Sequence, residues 1–155
     1  MNAPFAVRRL AAGDIDAARR LNSLFAEVFE DPQNYLAAPS DENYLARLLE
    51  KDSLIALVAE AEGAVVGGLV GYDLPKLEQA RSEIYIYDLA VAADRRREGI
   101  ATALIAEVQQ IATATGAWVI YVQADHVDAP AVALYTKLGT REDVLHFDIL
   151  PQLRK

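Results

Sequence analysis

The sequence predicts an α/β chain of the mixed α+β kind: one central sheet of mixed strand direction, with α-helices over its faces. Two observations predict it. The hydrophobic period switches between helical and strand spacing in the order β-α-α-β-β-β-α-β-α-β. In addition, the β-branched and aromatic run Ile84-Tyr85-Ile86-Tyr87-Asp88-Leu89-Ala90-Val91 leads into a basic, glycine-containing turn that opens an amphipathic helix. No repeat, low-complexity tract or Gly/Ser linker interrupts the 155 residues, so they read as one domain, 1–155.

The elements follow in order. Residues 5–9 read as a short strand. Asp14 can cap a helix whose apolar residues Ile15, Ala18, Leu21, Leu24, Phe25 and Val28 keep helical spacing. Residues 31–39 carry two prolines and read as a loop. A second helix starts near Ser40 and runs through Tyr44, Leu45, Leu48 and Leu49. The period then becomes that of strands. Residues 54–60 and 64–73 form a predicted hairpin about Glu62-Gly63. Gly67, Gly68 and Gly71 weaken its second strand and mark bends or close approach of another backbone. A polar loop over 74–82 leads to the central strand, 83–91. Residues 100–113 form a helix with Ile100, Leu104, Val108 and Ile111 on one face, ended by Gly116. Residues 117–124 are a buried strand. Asp128-Ala129-Pro130 starts a short helix through Lys137, ended by Gly139. Residues 143–149 are the last predicted strand.

Composition narrows the function. Fifteen basic residues against twenty-three acidic ones give a formal charge of -8. That balance argues against nucleic acid and anionic membrane as partners and suits a cationic small molecule, though acidity also serves plain solubility. With no cysteine there is no disulfide, thiolate metal site or cysteine nucleophile. His126 and His146 are the only histidines and show no ligand spacing, so no metal is predicted. The N-terminus carries no signal-peptide pattern and no apolar run reaches a membrane span, which predicts a cytoplasmic protein.

The turn after the central strand has the sequence form of a phosphate cradle. Amides at a helix start lack helical partners, and the helix dipole favours an anion there. Gly99 lets a ligand approach the backbone, and the arginines attract it. The pattern Arg96-Arg97-Glu98-Gly99-Ile100-Ala101, between strand and helix, resembles the pyrophosphate signature of the GCN5-related N-acetyltransferase (GNAT) superfamily. Ala131-Val132-Ala133-Leu134-Tyr135-Thr136-Lys137-Leu138-Gly139 resembles that family's late helix with its tyrosine. Residues 82–91, 119–125 and 146–149 look like the aminoglycoside 3-N-acetyltransferases of the gentamicin type.

The resemblance implies a GNAT fold, a largely antiparallel mixed sheet with a splayed central strand pair. It implies acetyl-CoA as co-substrate, with Arg96, Arg97, Glu98, Gly99, Ile100, Ala101 and Thr102 at its pyrophosphate and Leu89, Ala90 and Val91 along its pantetheine arm. Asp128 stands where many members carry Asn; it can accept and cap but not donate. With Ala131 and Tyr135 it completes the implied cofactor contacts. The implied acceptor is an aminoglycoside, acetylated on the 3-amino group of its 2-deoxystreptamine ring, and the implied assembly is a homodimer.

Two residues are assigned to catalysis. Alternation puts Asp88 on a face with Ile84, Ile86 and Ala90, where a carboxylate needs a partner or a task. It can hold an ammonium and accept its proton, directly or through water; otherwise it satisfies local backbone amides. Tyr135 can protonate the leaving thiolate; otherwise it packs beside Leu134 and Leu138. Asp88, Asp125, Asp128 and Asp148 are the candidates for an acidic acceptor cleft. Tyr85, Tyr87 and Tyr121 read as core or pocket wall, and His126 as a proton relay or a solvated loop residue. Without a cysteine, transfer is direct. The rivals are an acetyltransferase for a polyamine, amino-sugar or protein amine, and a CoA-binding module without catalysis.

Overall fold

The computed structural model describes residues 2–152. One compact unit extends to Gln123 and a second begins at Ala124. The first unit is built on five strands in the spatial order β1 (Ala6–Arg9), β2 (Leu54–Ala61), β3 (Ala64–Pro75), β4 (Ser82–Val91) and β5 (Ala117–Val122). The first three pairings are antiparallel and β4–β5 is parallel. Its helices are α1 (Ile15–Val28), α2 (Pro32–Tyr35), α3 (Glu42–Leu49) and α4 (Ile100–Thr115). The second unit carries α5 (Ala129–Leu138). This is the mixed, mostly antiparallel sheet flanked by helices that the GNAT resemblance implies. Among the described residues no helix is long and apolar enough to cross a membrane.

Two helices define the two faces of the sheet. Adjacent glycines on β3 show this directly. A Cβ at Gly67 would overlap Ile100 of α4, and one at Gly68 would overlap Leu21 of α1. At these two glycines helix side chains, rather than another backbone, come closest, one on each face. Leu21, Phe25, Leu54, Ala56, Val58 and Ala90 make the core on the α1 face. Glu62 and Gly63 both take positive φ, 50° and 79°, as a tight two-residue hairpin turn requires.

Three local readings are corrected. Asp14 holds the N-cap position of α1, its carbonyl accepting from the Ala18 amide at 3.0 Å, but its side chain does not cap the helix; the carboxylate accepts instead from the Ala11 amide at 2.7 Å and from Arg8 at 2.9 Å. The predicted loop over 31–39 contains a helical turn, α2, because Asp31 caps it and Pro32 presets its first residue. Residues 143–149 form no strand. Alternation specifies which side chains would share a face, not a neighbour to pair with, and these residues have no ladder partner among the described residues. Local pairs form there instead, Arg141 with Asp143 and His146 with Asp148. Phe147 and Ile149 stay 75% and 91% exposed.

Candidate active site

The middle of β4 changes character at a bulge. Register runs normally from Gly67↔Val91 to Val70↔Asp88, then shifts so that Gly71 pairs with Ile86. Tyr87 is the extra residue. A bulge reverses the alternation, and bulges commonly re-aim a side chain beside an active site. Val70 and Ala90 belong to the α1 face, so Asp88, opposite Val70, faces α1. Gly71 and Ile86 then face α4. This corrects the simple alternation: Asp88 shares a face with Ala90, while Ile84 and Ile86 lie on the other, 0% and 2% exposed.

On the α1 face Asp88 meets Tyr35, from the two-proline segment 31–39 that the sequence predicts as loop. Tyr35 donates its hydroxyl to Asp88 Oδ1 at 2.7 Å. The Tyr35 ring is tilted against Phe25 and Phe29, its centroid 5.7 Å from each. Asp31-Pro32 was the available signal, a cap followed by a first-turn proline, and it places an aromatic at the end of one turn. Burial pushes the Asp88 carboxyl above its ordinary value, while the Tyr35 bond pulls the other way. Burial, and then the bond to Asp88, holds the Tyr35 phenol far above the usual range. Among the described residues no lysine or arginine pairs with Asp88. A half-buried carboxylate lacking a counter-charge is a place for a cationic ligand.

Tyrosines continue this face across three strands. Tyr72 on β3 meets Tyr87 edge-on at 6.2 Å, and Tyr85 meets Tyr87 at 5.6 Å. Tyr85 stacks on Tyr121 of β5 at 4.7 Å, and its hydroxyl is 3.0 Å from Gln123. Burial raises the Tyr72 and Tyr85 phenols, and Asp88 adds to both shifts. Tyr87 is 63% exposed, so this is an open aromatic wall rather than core.

Beyond Asp88 the sheet opens. β4 and β5 pair only as far as Ile86↔Val122, so residues 87–91 keep a free edge towards β5. Leu89, Ala90 and Val91 pair on their other side with Leu69, Gly68 and Gly67. The strand then passes through a 3₁₀ turn, Ala93–Arg95, to the start of α4. Arg95 is buried and pairs with Glu98 at 2.9 Å. This ion pair holds the Glu98 carboxyl below its usual range. Glu98 is therefore turned to brace the loop, and it is the backbone that remains to bind. Arg96 and Arg97 are exposed, and Arg97 takes φ 64°. Gly99 takes φ 83°, with nothing within 4 Å of where a Cβ would stand. The Ala103 amide bonds Gly99 at 2.9 Å, which leaves the amides of Ile100, Ala101 and Thr102 without helical partners. Ile100 itself is 1% exposed and anchors the helix start in the core. Open space, adjacent backbone amides and two exposed guanidiniums fit a pyrophosphate.

The second unit holds the other candidates. Asp128 caps α5, its Oδ1 accepting from the Ala131 amide at 3.2 Å. This Asp therefore performs the capping role expected of it, and that bond occupies the Ala131 amide. Tyr135 is half-buried on α5; burial, then the Asp128 charge, raises its phenol. Asp125 and His126 are exposed in the segment before α5. Asp148 pairs with His146 at 2.8 Å in the exposed C-terminal segment.

Residues 18–140 match the family described as Acetyltransferase (GNAT) family. An N-alpha-acetyltransferase of Sulfurisphaera tokodaii is 27% identical over 149 residues, spanning 89% of this chain and 81% of that protein. A solved aminoglycoside acetyltransferase from an uncultured soil metagenomic sample is 49% identical, with TM-score 0.94 over 96% of this chain and 99% of its own. A second one from such a sample, solved with trehalose and with sisomicin, is 33% identical, with TM-score 0.88 over 96% of this chain and 97% of its own.

Proposed function

The chain belongs to the acetyltransferase (GNAT) family, and from that premise we propose that it is an aminoglycoside 3-N-acetyltransferase. In this reading residues 1–155 act as one domain that uses acetyl-CoA to acetylate the 3-amino group of 2-deoxystreptamine. The single observation that carries the acceptor assignment is Asp88: a half-buried carboxylate beside an aromatic wall, with no cation paired to it among the described residues. An aminoglycoside offers ammonium groups on saturated rings, which suit a carboxylate and tyrosine faces. Similarity to two aminoglycoside acetyltransferases supports the same class.

Acetyl-CoA, when bound, supplies an acetyl group activated as a thioester. Residues 96–102 would hold its pyrophosphate, mainly through main-chain amides, and the free edge of Leu89, Ala90 and Val91 would align the pantetheine arm. Asp88 would hold the acceptor ammonium and take its proton. The amine nitrogen then bonds to the acetyl carbon as the carbon–sulfur bond breaks. A backbone amide near Leu89 would polarise the carbonyl; Tyr135 would give its proton to the departing thiolate, and the phenolate would regain one through solvent as the nitrogen, now an amide, loses its second proton. Positioning of both substrates supplies much of the acceleration. Asp125, Asp128 and Asp148 would add acidic contacts to the acceptor. The reading includes a homodimer in the cytoplasm.

The similarity to an N-alpha-acetyltransferase favours a second reading, a protein N-terminal amine as acceptor. A panel of gentamicin, spermidine and an alanine-initiated peptide, assayed by free-thiol release from acetyl-CoA, separates them. The proposal expects turnover on gentamicin far above the other two. Preference for the peptide or spermidine overturns it, and tight acetyl-CoA binding without turnover of any amine assigns a binding module.

A further inference from the structure

We propose that Tyr35 is a positioning residue for the acceptor side of the reaction: its hydroxyl, donated to Asp88 Oδ1 at 2.7 Å, fixes the carboxylate and leaves Oδ2 directed to the incoming amine. The inference rests on the reading of Asp88 as the group that takes the amine's proton. Three observations lead to it.

First, Tyr35 is the protein's one hydrogen-bond donor to the Asp88 side chain among the described residues. A carboxylate in a bulge, free of other partners, would otherwise rotate. Second, Tyr35 is itself held in place. Its ring packs against Phe25 and Phe29, which stack on one another at 5.5 Å. Asp31 closes the turn that carries it, accepting from the Asn34 amide at 3.2 Å and the Asn34 side chain at 2.7 Å. The chain thus spends a capped helical turn, in a segment otherwise without helix between Phe29 and Asp41, to set one hydroxyl. Third, the bond favours the charged carboxylate, while burial opposes it. The titratable groups near this pair are Tyr72 of β3, Tyr85 and Tyr87 of β4, Tyr44 of α3 and Asp31 beside α2. Among the described residues none is a cation, and there the Tyr35 bond alone offsets the burial until the acceptor arrives.

The test compares the wild type with Tyr35→Phe, Asp88→Asn and the double variant, using whichever amine the acceptor panel selects. Tyr35→Phe keeps the ring and its packing, and thermal unfolding close to the wild type verifies that. It is expected to lower kcat about tenfold and to move the acid limb of the kcat/KM profile upward by roughly one pH unit, with KM for acetyl-CoA unchanged. In the Asp88→Asn background it should cost nothing further, because the two act as a unit. An unmoved acid limb, or the same factor lost in both backgrounds, means that Tyr35 only packs, and the proposal fails while Asp88 keeps its role. Wild-type turnover by Asp88→Asn overturns the role of Asp88 and this inference with it.

Discussion

Asp88, the carboxylate proposed to meet the acceptor, is set against stability. Its folded-state carboxyl lies above the ordinary value of 3.8, with burial as the leading cause. The folded chain therefore holds this proton to higher pH than the unfolded chain does, so stability falls as pH rises through the interval between the two pKa values. Asp88→Asn removes that loss and still accepts from Tyr35. The variant is expected to melt higher than the wild type at neutral pH, an advantage that shrinks as pH falls toward 3.8. Its kcat should drop about a hundredfold or more, with KM for acetyl-CoA within about twofold. Differential scanning calorimetry across pH and steady-state kinetics read the two effects. Gly99 is the second residue whose role is fixed by backbone. At φ 83° a side chain is strained, and it would also fill the open space above α4. Gly99→Ala is expected to raise KM for acetyl-CoA about tenfold, more than Arg97→Ala or Glu98→Ala, measured with acceptor saturating.

At the scale of elements, β3 and β4 shape the proposed site. The bulge at Val70/Gly71 turns Asp88 to the α1 face, and the end of β4–β5 pairing at Ile86 leaves the next residues with a free edge. Gly68 is what allows α1 to lie close enough to form that face. Gly68→Ala would overlap Leu21 and approach the Leu57 carbonyl at 3.0 Å. It is expected to destabilise the fold by about 1–3 kcal/mol, read by urea denaturation. The strand–turn–helix order of β4 and α4 was legible because period, glycine and basic residues agree there. The facing of Asp88 was not, since alternation carries no mark of an inserted residue until its partner strand is known. Tyr35 escaped for a related reason. Two prolines between Asp31 and Ser40 read as loop, and a single capped turn is too short to show helical period. The strand predicted over 143–149 failed in the opposite way, with a clear pattern and no partner.

At the scale of the molecule, apolar exposure remains to be covered. Val144, Leu145, Phe147, Ile149 and Leu150 are all more than half exposed in the second unit, and Trp118 is 53% exposed on the edge strand β5 of the first. Exposed apolar groups in such number favour association, in keeping with the proposed homodimer. Sedimentation equilibrium should return twice the 16.9 kDa chain mass, and Phe147→Asp with Ile149→Asp should shift it toward the single-chain mass. A monomer at micromolar concentration would contradict this. The net charge of -8 belongs to the same scale. It would attract the proposed polycationic acceptor over distance, so acceptor kcat/KM should fall as salt rises, a decline that the anionic acetyl-CoA should not share. Product regiochemistry tests the proposed chemistry at a single amine of such an acceptor. Purified protein, acetyl-CoA and gentamicin are incubated to one turnover per acceptor, and the product is read by two-dimensional NMR. The expected product carries a single acetamide, on the 3-amino group of 2-deoxystreptamine. Acetylation at any other amine, or none, would contradict the proposal.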